Sequence, residues 1–267
     1  MAAMSRKPYP TDLTDEQWER LNPLLPRPKS GTPKGGHPVT VDRREVVNAI
    51  FYHLRAGGAW RMLPHDFPAW QTVYGLFRDW RLGGTWEKVH AALREEVRIE
   101  AGAPPTPETL RVDSQTVKTT HRGGPKGYDG GKKVNGRKRF IGVDSLGLVW
   151  TLSVLTADVQ DRDGGRWLLG GVRHLLPRVR EVIADSGFSK RFQEFVRKVC
   201  RWAVTITANA KDGFQIHTRR WVVERTFAWF VRYRRLVVDY EYHPETSEAM
   251  IQAAMIHRML RGLHPNP

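Results

Sequence analysis

The first hundred residues carry apolar positions at helical spacing. Thr14, followed three residues later by Gln17, has the form of a capping box that opens a first helix. In three later segments, which begin near Asp42, Trp70 and Trp86, apolar residues recur every three or four positions. Glycine pairs follow the first and second of these three segments, where a helix would end. The region is therefore predicted to consist of four helices.

A proline-rich segment then separates two patterns. Three prolines within four residues favour an extended linker, so we place a domain boundary at Pro105, with an amino-terminal domain over residues 1–105 and a second domain over 106–267. Beyond the linker, short apolar or alternating runs predict five strands. These strands cover residues 110–118, 140–143, 148–155, 179–184 and 203–207.

Helical spacing returns between and after the last strands. Three strands come first and helices then alternate with the other two, an order that predicts an α/β fold with a mixed sheet flanked by helices. The chain is thus predicted to form a small all-helical domain followed by such a sheet. The helices of the second domain are predicted at residues 167–176, 188–199, 217–231 and 248–260.

Three acidic residues lie inside or at the edge of these apolar segments. Asp113 is in the first strand, Asp185 ends the fourth, and Glu224 is in the helix after the fifth. Open α/β sheets bind ligands at the carboxyl ends of their strands, where Asp185 lies. Converging carboxylates repel one another, whereas two Mg²⁺ or Mn²⁺ ions about 3.5–4 Å apart neutralise them and support phosphoryl transfer. We therefore predict that these three residues bind two metal ions and are catalytic.

Each of these acids also has a structural interpretation. Asp113 could pair with an arginine at a strand edge, Asp185 could cap a helix, and Glu224 could lie on a solvated helix face. We favour the catalytic interpretation because all three acids lie on the predicted elements in the right chain order. Asp144 is interpreted as a hairpin-turn residue, and Asp158 as a reserve metal ligand.

The charge balance indicates a polyanionic partner. The chain has 43 Lys and Arg against 28 Asp and Glu, a formal net charge of +15. No apolar run approaches the ~18 residues of a membrane-spanning helix, and we expect neither a membrane span nor a secretion signal. Cys200 is the single cysteine, which excludes an internal disulfide and fits a reducing compartment. We expect a cytoplasmic, nucleoid-associated protein.

Basic residues concentrate in two segments beside the predicted acids. One is a glycine-rich loop after the first strand, and the other is the helix that carries Glu224 together with the residues after it. Such cations suit the phosphates of double-stranded DNA, and interleaved tryptophans suit an unpaired base at a cleaved end. A helix-turn-helix formed by the second and third helices is a further interpretation. The predicted DNA contacts are Lys118, Arg122, Lys126, Lys132, Lys133, Arg137, Lys138, Arg139, Arg220, Arg225, Trp229, Arg232, Arg234 and Arg235.

Six motifs in the second domain carry a resemblance to a known family. They are Asp113–Val117, Gly127–Lys133, Gly136–Arg139, Asp158–Asp163, Asp185–Phe188 and Arg220–Trp229. This set resembles the DDE transposases of bacterial insertion sequences, of the group numbered five. Upstream, Gly58–Pro64 resembles the helical amino-terminal region of that group. The resemblance runs from about Leu13 to Arg261 and is most specific around Glu224.

The resemblance implies an RNase H-like catalytic domain whose metal-binding triad is Asp113, Asp185 and Glu224. It further implies cleavage at terminal inverted repeats and transfer of 3′-hydroxyl ends to target DNA. Because paired DNA ends need two active sites, we expect a homodimer on DNA. Two other functions stay open: a DNA-binding derivative that no longer cuts, and a nuclease of the same fold that does not join strands.

A second signature of the family, Tyr-Arg-Glu-Lys, is only partly present. Arg220 stands four residues before the glutamate, as the signature requires. His217 and Val231 occupy the tyrosine and lysine positions. His217 could still contact phosphate, and Arg232 or Arg234 could supply the missing cation.

Overall fold

The structure is a computed structural model that describes residues 6–27, 41–207 and 221–264 of the chain. Its amino-terminal region is helical, as predicted. The Thr14–Gln17 capping box is present, and Gly57 ends the second helix with a left-handed φ of 79°. The helices are α1 (Asp15–Leu21), α2 (Arg43–Ala56), α3 (Trp70–Leu82) and α4 (Thr85–Glu100), with short 3₁₀ turns at Asn22–Leu24 and Trp60–Met62.

The second region contains six strands in the part of the chain that the structure describes. They are β1 (Thr109–Lys118), β2 (Gly127–Asp129), β3 (Val134–Val143), β4 (Val149–Thr156), β5 (Glu181–Asp185) and β6 (Ala203–Thr207). In the sheet they follow the order β2-β3-β1-β5-β6, with β4 also pairing β3. β3 is antiparallel to β1, β2 and β4, whereas β5 is parallel to both β1 and β6. The predicted mixed sheet is confirmed, although β2 was missed and β3 begins earlier than predicted.

Helices cover both faces of this sheet. Their bounds are α5 (Asp161–Gly170), α6 (Lys190–Phe195), α7 (Trp221–Val231), α8 (Arg234–Val237) and α9 (Pro244–Leu263), with a 3₁₀ turn at Arg173–Leu175 and a π turn at Val196–Cys200. No helix among the described residues is long and apolar enough to cross a membrane.

Helix α5 begins at Asp161, six residues before the predicted start. The predicted bounds of 167–176 were wrong, because the helix ends at Gly170 and its first turns contain Gly164 and Gly165. Both glycines lie within α5, where a Cβ would come 2.1 Å from the Phe140 ring and 2.7 Å from the Phe192 ring. The missing side chains let the helix approach the sheet closely, which a single-chain pattern does not reveal.

Two hydrophobic clusters lie on opposite faces of the sheet. The smaller cluster joins alternate residues of β1 and β5 to α5 and α6. The larger cluster joins the amino-terminal helices to β3, β4, α7 and α9 in one continuous core. Across it, Phe51 of α2 stacks on His257 of α9 at 4.5 Å, and Arg98 of α4 forms a buried ion pair with Asp144 at 2.6 Å. The predicted domain boundary at Pro105 therefore separates segments that share a core, and it stays a prediction.

Candidate active site

Asp113 and Asp185 lie at the same level of two adjacent parallel strands. β1 and β5 pair in register as far as Arg111 and Ile183. Asp113 and Asp185 each stand two residues further along, so a continued parallel register places them opposite each other. Asp185 is the last residue of β5, at its carboxyl end. The sheet therefore brings together two acids that are 72 residues apart in the sequence.

Both aspartates belong to the sheet face that α7 covers. Their preceding neighbours, Val112 and Ala184, pack into the smaller cluster beneath α5 and α6. Because successive residues of a strand point to opposite faces, Asp113 and Asp185 are directed to the other face. α7 packs against β1 and β3 on that side. Glu224 lies in its first turn and is exposed.

Within the described residues, no three His, Cys, Asp or Glu side chains stand close enough together to hold a metal ion. Asp113, Asp185 and Glu224 each make a polar interaction within the protein. Their carboxylate oxygens are nevertheless the ligand type that Mg²⁺ and Mn²⁺ prefer, so the donor chemistry fits these ions. Arg220 and His217, which precede α7, lie outside the described residues.

Backbone amides orient the two aspartate carboxylates. The Ser114 N–H donates to Asp113 Oδ1 at 2.7 Å, and the Gly187 N–H donates to Asp185 Oδ1 at 2.9 Å. These bonds hold one oxygen of each carboxylate close to the backbone of the residues that follow it.

Asp161, at the start of α5, is a further acid beside this site. A Cβ on Gly187 would lie 3.0 Å from Asp185 Oδ1 and 3.1 Å from Asp161 Oδ2, so these two oxygens are within about 6 Å of each other. Ser114 Oγ donates to Asp161 Oδ1 at 2.7 Å, and Lys138 Nζ lies 3.3 Å from the same oxygen. Asp161 was not among the predicted metal ligands, whereas Asp158 was interpreted as the reserve ligand.

The structure corrects the prediction that Arg137, Lys138 and Arg139 contact DNA. All three are buried within β3. Arg137 donates to the carbonyls of Glu241 (2.9 Å) and Tyr242 (2.6 Å), Arg139 donates to a backbone carbonyl of α8 (2.7 Å), and Lys138 donates to the carbonyl before α5 (2.8 Å). Burial lowers the pKa of Arg139 to about 10. These cations stabilise the fold and do not reach a phosphate.

Arg235 needs the same correction. It is buried and pairs with Glu241 at 2.6 Å, and it also donates to the Gly58 carbonyl at 3.0 Å. Arg225 and Trp229 are half-buried, while Arg220 lies outside the described residues. The predicted contacts that are exposed to solvent, and so stay predictions, are Lys118, Arg122, Lys126, Lys132, Lys133, Arg232 and Arg234.

Aromatic and arginine side chains alternate along one side of α7. Trp221, Arg225 and Trp229 are spaced four residues apart, so they share a helix face. The Arg225 guanidinium lies 4.8 Å from the Trp221 ring centre and 5.1 Å from that of Trp229. Arg258 of α9 continues the row at 3.5 Å from the Trp229 ring. This aromatic–arginine row begins beside Glu224 and leads away from it.

Two family models match this chain. One, described as "Transposase DDE domain", matches residues 104–259, more than half of the chain. The other, described as "Putative transposase of IS4/5 family", matches residues 13–90.

Curated relatives have similar names. "Insertion element IS402 uncharacterized 16.2 kDa protein" of Burkholderia cepacia is 32% identical over 88 residues, which is 32% of this chain and 60% of the relative. "Uncharacterized protein y4sN" of Sinorhizobium fredii is 28% identical over 121 residues, 45% of this chain and 87% of the relative. "Putative transposase for insertion sequence element IS402" of Burkholderia cepacia is 34% identical over 80 residues, 30% and 38% of the two chains. The matches thus span 60% of the first relative and 38% of the third.

Proposed function

Because the chain belongs to the transposase DDE domain family, we propose that it is a DNA transposase that cuts at terminal inverted repeats and transfers 3′-hydroxyl ends to target DNA. Its sheet and flanking helices form the RNase H-like fold of that domain. The proposed substrate is double-stranded DNA, in keeping with the formal net charge of +15.

One observation carries the proposal most directly. Asp113 and Asp185 each lie two residues beyond the last paired residues of adjacent parallel strands, on the side of the sheet where the Glu224 helix packs against β1 and β3. Asp113 and Asp185 thus lie on the side of the sheet against which the Glu224 helix packs, which supports the proposal of a common chemical task.

We propose that Asp113, Asp185 and Glu224 hold two divalent ions, Mg²⁺ or Mn²⁺. When bound, such ions activate the attacking water or 3′-hydroxyl and stabilise the leaving oxygen. The chain's own residues orient the ligands, because the Ser114 and Gly187 amides each fix one aspartate oxygen. The exposure of Glu224 leaves room for DNA at the open side of the site.

The remaining residues are proposed to bind and place the DNA. The exposed lysines and arginines of the loop between β1 and β3 would grip the backbone without reading its sequence. The amino-terminal region, proposed as residues 1–105, would contact the terminal repeats, and two subunits would bring two ends together in the cytoplasm. Each of these assignments rests on the family and on charge.

A strand-cleavage assay on terminal-repeat DNA tests the proposal. Asp113→Asn, Asp185→Asn and Glu224→Gln each keep the side-chain size but remove the charge, and each is expected to lower the cleavage rate by about a thousandfold. DNA affinity should stay within about threefold, since other residues supply most phosphate contacts. Glu108→Gln, an exposed acid before β1, is the matched control and should cleave normally.

Unchanged cleavage in any of the three variants would remove that residue from the proposed site. Pre-cut ends with free 3′-hydroxyls separate the transposase from a nuclease. Joined products support the transposase, while hydrolysis without joining supports the nuclease. If the unaltered protein binds end DNA but neither cuts nor joins it with Mg²⁺ or Mn²⁺, the DNA-binding derivative is favoured.

A further inference from the structure

A cleft of about 560 Å³ lies between the amino-terminal region and the helices that follow Glu224. Arginines approach it from three elements: Arg55 from the end of α2, Arg232 from the turn after α7, and Arg258 and Arg261 from α9. The β3–β4 hairpin contributes Leu146 to another wall. Among the described residues, no Asp or Glu lines this cleft. It is therefore a strongly cationic recess between the two family-matched segments.

The four arginines lack carboxylate partners in the described part of the chain. The bonds they do make are to backbone: Arg55 donates to the Arg232 carbonyl at 2.6 Å, and Arg261 donates to the Pro10 carbonyl at 2.8 Å. Like charges gathered in a partly buried place repel one another. Burial and the neighbouring guanidinium of Arg232 hold the pKa of Arg258 below its usual value. An anion between these side chains would offset that repulsion.

Aromatic rings hold the guanidinium groups in position. The guanidinium groups of Arg258 and Arg225 lie 3.5 Å and 5.1 Å from the centre of the Trp229 ring. The Tyr233 ring lies 5.5 Å from the Arg55 guanidinium. Stacking of this kind fixes the direction of an arginine and leaves its N–H groups available. Arg55 and Arg258 are therefore held in position in the folded chain before any ligand binds.

Thr11 adds an independent observation. It lines the same cleft and is only 7% exposed. Its hydroxyl has no hydrogen-bond partner in the part of the protein that the structure describes. A buried hydroxyl without a partner is costly, and a phosphate oxygen would accept its hydrogen bond. The hydroxyl itself is buried beneath the cleft wall, so a bound phosphate would reach it only with a local shift of that wall.

We propose that this cleft binds successive phosphates of the DNA backbone, as a site separate from the three acids. The inference rests on the proposed function, which supplies DNA as the polyanion. Four arginines exceed what a single phosphate needs, and the aromatic–arginine row connects the cleft to the neighbour of Glu224. Backbone binding fits better than base stacking, because guanidinium groups already lie against the Trp229 ring.

The salt dependence of duplex binding by the full chain, measured in EDTA so that no strand is cut, tests the proposal. Arg232→Gln and Arg258→Gln are each expected to weaken binding about tenfold. Each should also reduce the slope of log affinity against log salt by about one. Arg180→Gln, an exposed arginine at the start of β5, is the matched control and should change neither quantity. The proposal would be overturned if both cleft variants kept the duplex affinity and the salt dependence of the unaltered protein.

A second measurement does not depend on substitutions. Modification of Arg258 by phenylglyoxal in the unaltered chain is expected to slow at least fivefold when a duplex is bound, while modification of Arg180 continues. Protection by inorganic tripolyphosphate but not by DNA would show a site for a free anion and would refute DNA binding there. Equal modification with and without duplex would also refute it.

These results separate this inference from the proposed function. If the unaltered protein and both cleft variants bind and cleave end DNA equally, the cleft proposal fails and the transposase proposal stands. If the cleft variants lose affinity although the unaltered protein never cleaves, the cleft binds DNA and the catalytic proposal fails.

Discussion

Two sets of basic side chains in this protein have opposite surroundings. Arg137, Lys138 and Arg139 of β3 are buried and bonded to backbone carbonyls, whereas Lys132 and Lys133, a few residues earlier, are exposed. Sequence composition treats all five alike, because each adds one positive charge. The comparison shows that part of the charge excess stabilises the fold, so net charge alone overstates the surface available to DNA.

The largest expected loss of stability comes from the buried set, Arg137, Lys138 and Arg139, which we call the inner set. Arg137→Met would leave the carbonyls of Pro125, Glu241 and Tyr242 without their donor and would unpair Asp239, which lies 3.3 Å away. Breaking a buried pair in this way costs about 3–5 kcal/mol of unfolding free energy. Urea unfolding measures this loss. Arg122→Met, the same change at an exposed site, should alter stability by less than about 0.5 kcal/mol, and equal losses in both variants would erase the distinction.

Three buried histidines predict that the folded protein loses stability in acid. Burial, the main cause, lowers the pKa of His53, His90 and His257 to about 3. Because these folded-state values lie below the unfolded value near 6.5, the unfolded chain binds more protons, and stability is lost as pH falls from about 6.5 towards 3. Burial also raises the pKa of Glu248 to about 7, so stability from that group increases as pH falls from 7 towards 4.5.

Between pH 6.5 and 4.5 the unfolded chain binds about two more protons than the folded chain, because the three histidines add three protons and Glu248 offsets one of them. The unfolding free energy should therefore fall by about 3 kcal/mol per pH unit in that range. His257→Gln should reduce this slope by about 1.4 kcal/mol per unit, as measured by urea unfolding at several pH values. His174→Gln, at an exposed histidine, is the control. A slope that His257→Gln leaves unchanged would contradict the assigned neutral state.

The exposed lysines Lys132 and Lys133, the outer set, are expected to affect stability least. Their replacement should nevertheless weaken DNA binding. The double change Lys132→Gln with Lys133→Gln should leave urea unfolding unaltered. It should lower the slope of log DNA affinity against log salt by about two, because two phosphate contacts are lost. Lys198→Gln, on the α6 side of the sheet, is the control. If the loop variant keeps the parental slope, the outer lysines do not bind the backbone.

The order of strands and helices could be predicted because each buried strand leaves a short apolar run in the sequence. Asp113 and Asp185 were found for the same reason, since each stands at the end of, or within, such a run. The inner arginines could not be found this way. Arg137 and Arg139 bond to carbonyls 104 and 97 residues further along the chain, and local sequence does not specify those partners.

The amino-terminal region shows the same limit. Its four helices follow from periodicity, and a separate domain follows from the prolines after α4. Phe51 packs on His257 and Arg98 pairs with Asp144, and each pair is more than 40 residues apart in the sequence. The local spacing of apolar residues does not indicate such distant partners. Asp144 was correctly interpreted as a turn residue, since it accepts the Leu146 and Leu148 N–H groups, but its ion pair was not foreseen.

Asp113, Asp185 and Glu224 are proposed to share divalent ions. Replacing Mg²⁺ by Fe²⁺ with ascorbate and peroxide, in the presence of end DNA, generates radicals that cut the polypeptide next to the bound ion. We predict cuts near residues 113, 185 and 224 together, and loss of all three in Asp113→Asn. Cuts near only one of these positions, or an unchanged pattern in Asp113→Asn, would contradict a shared metal site.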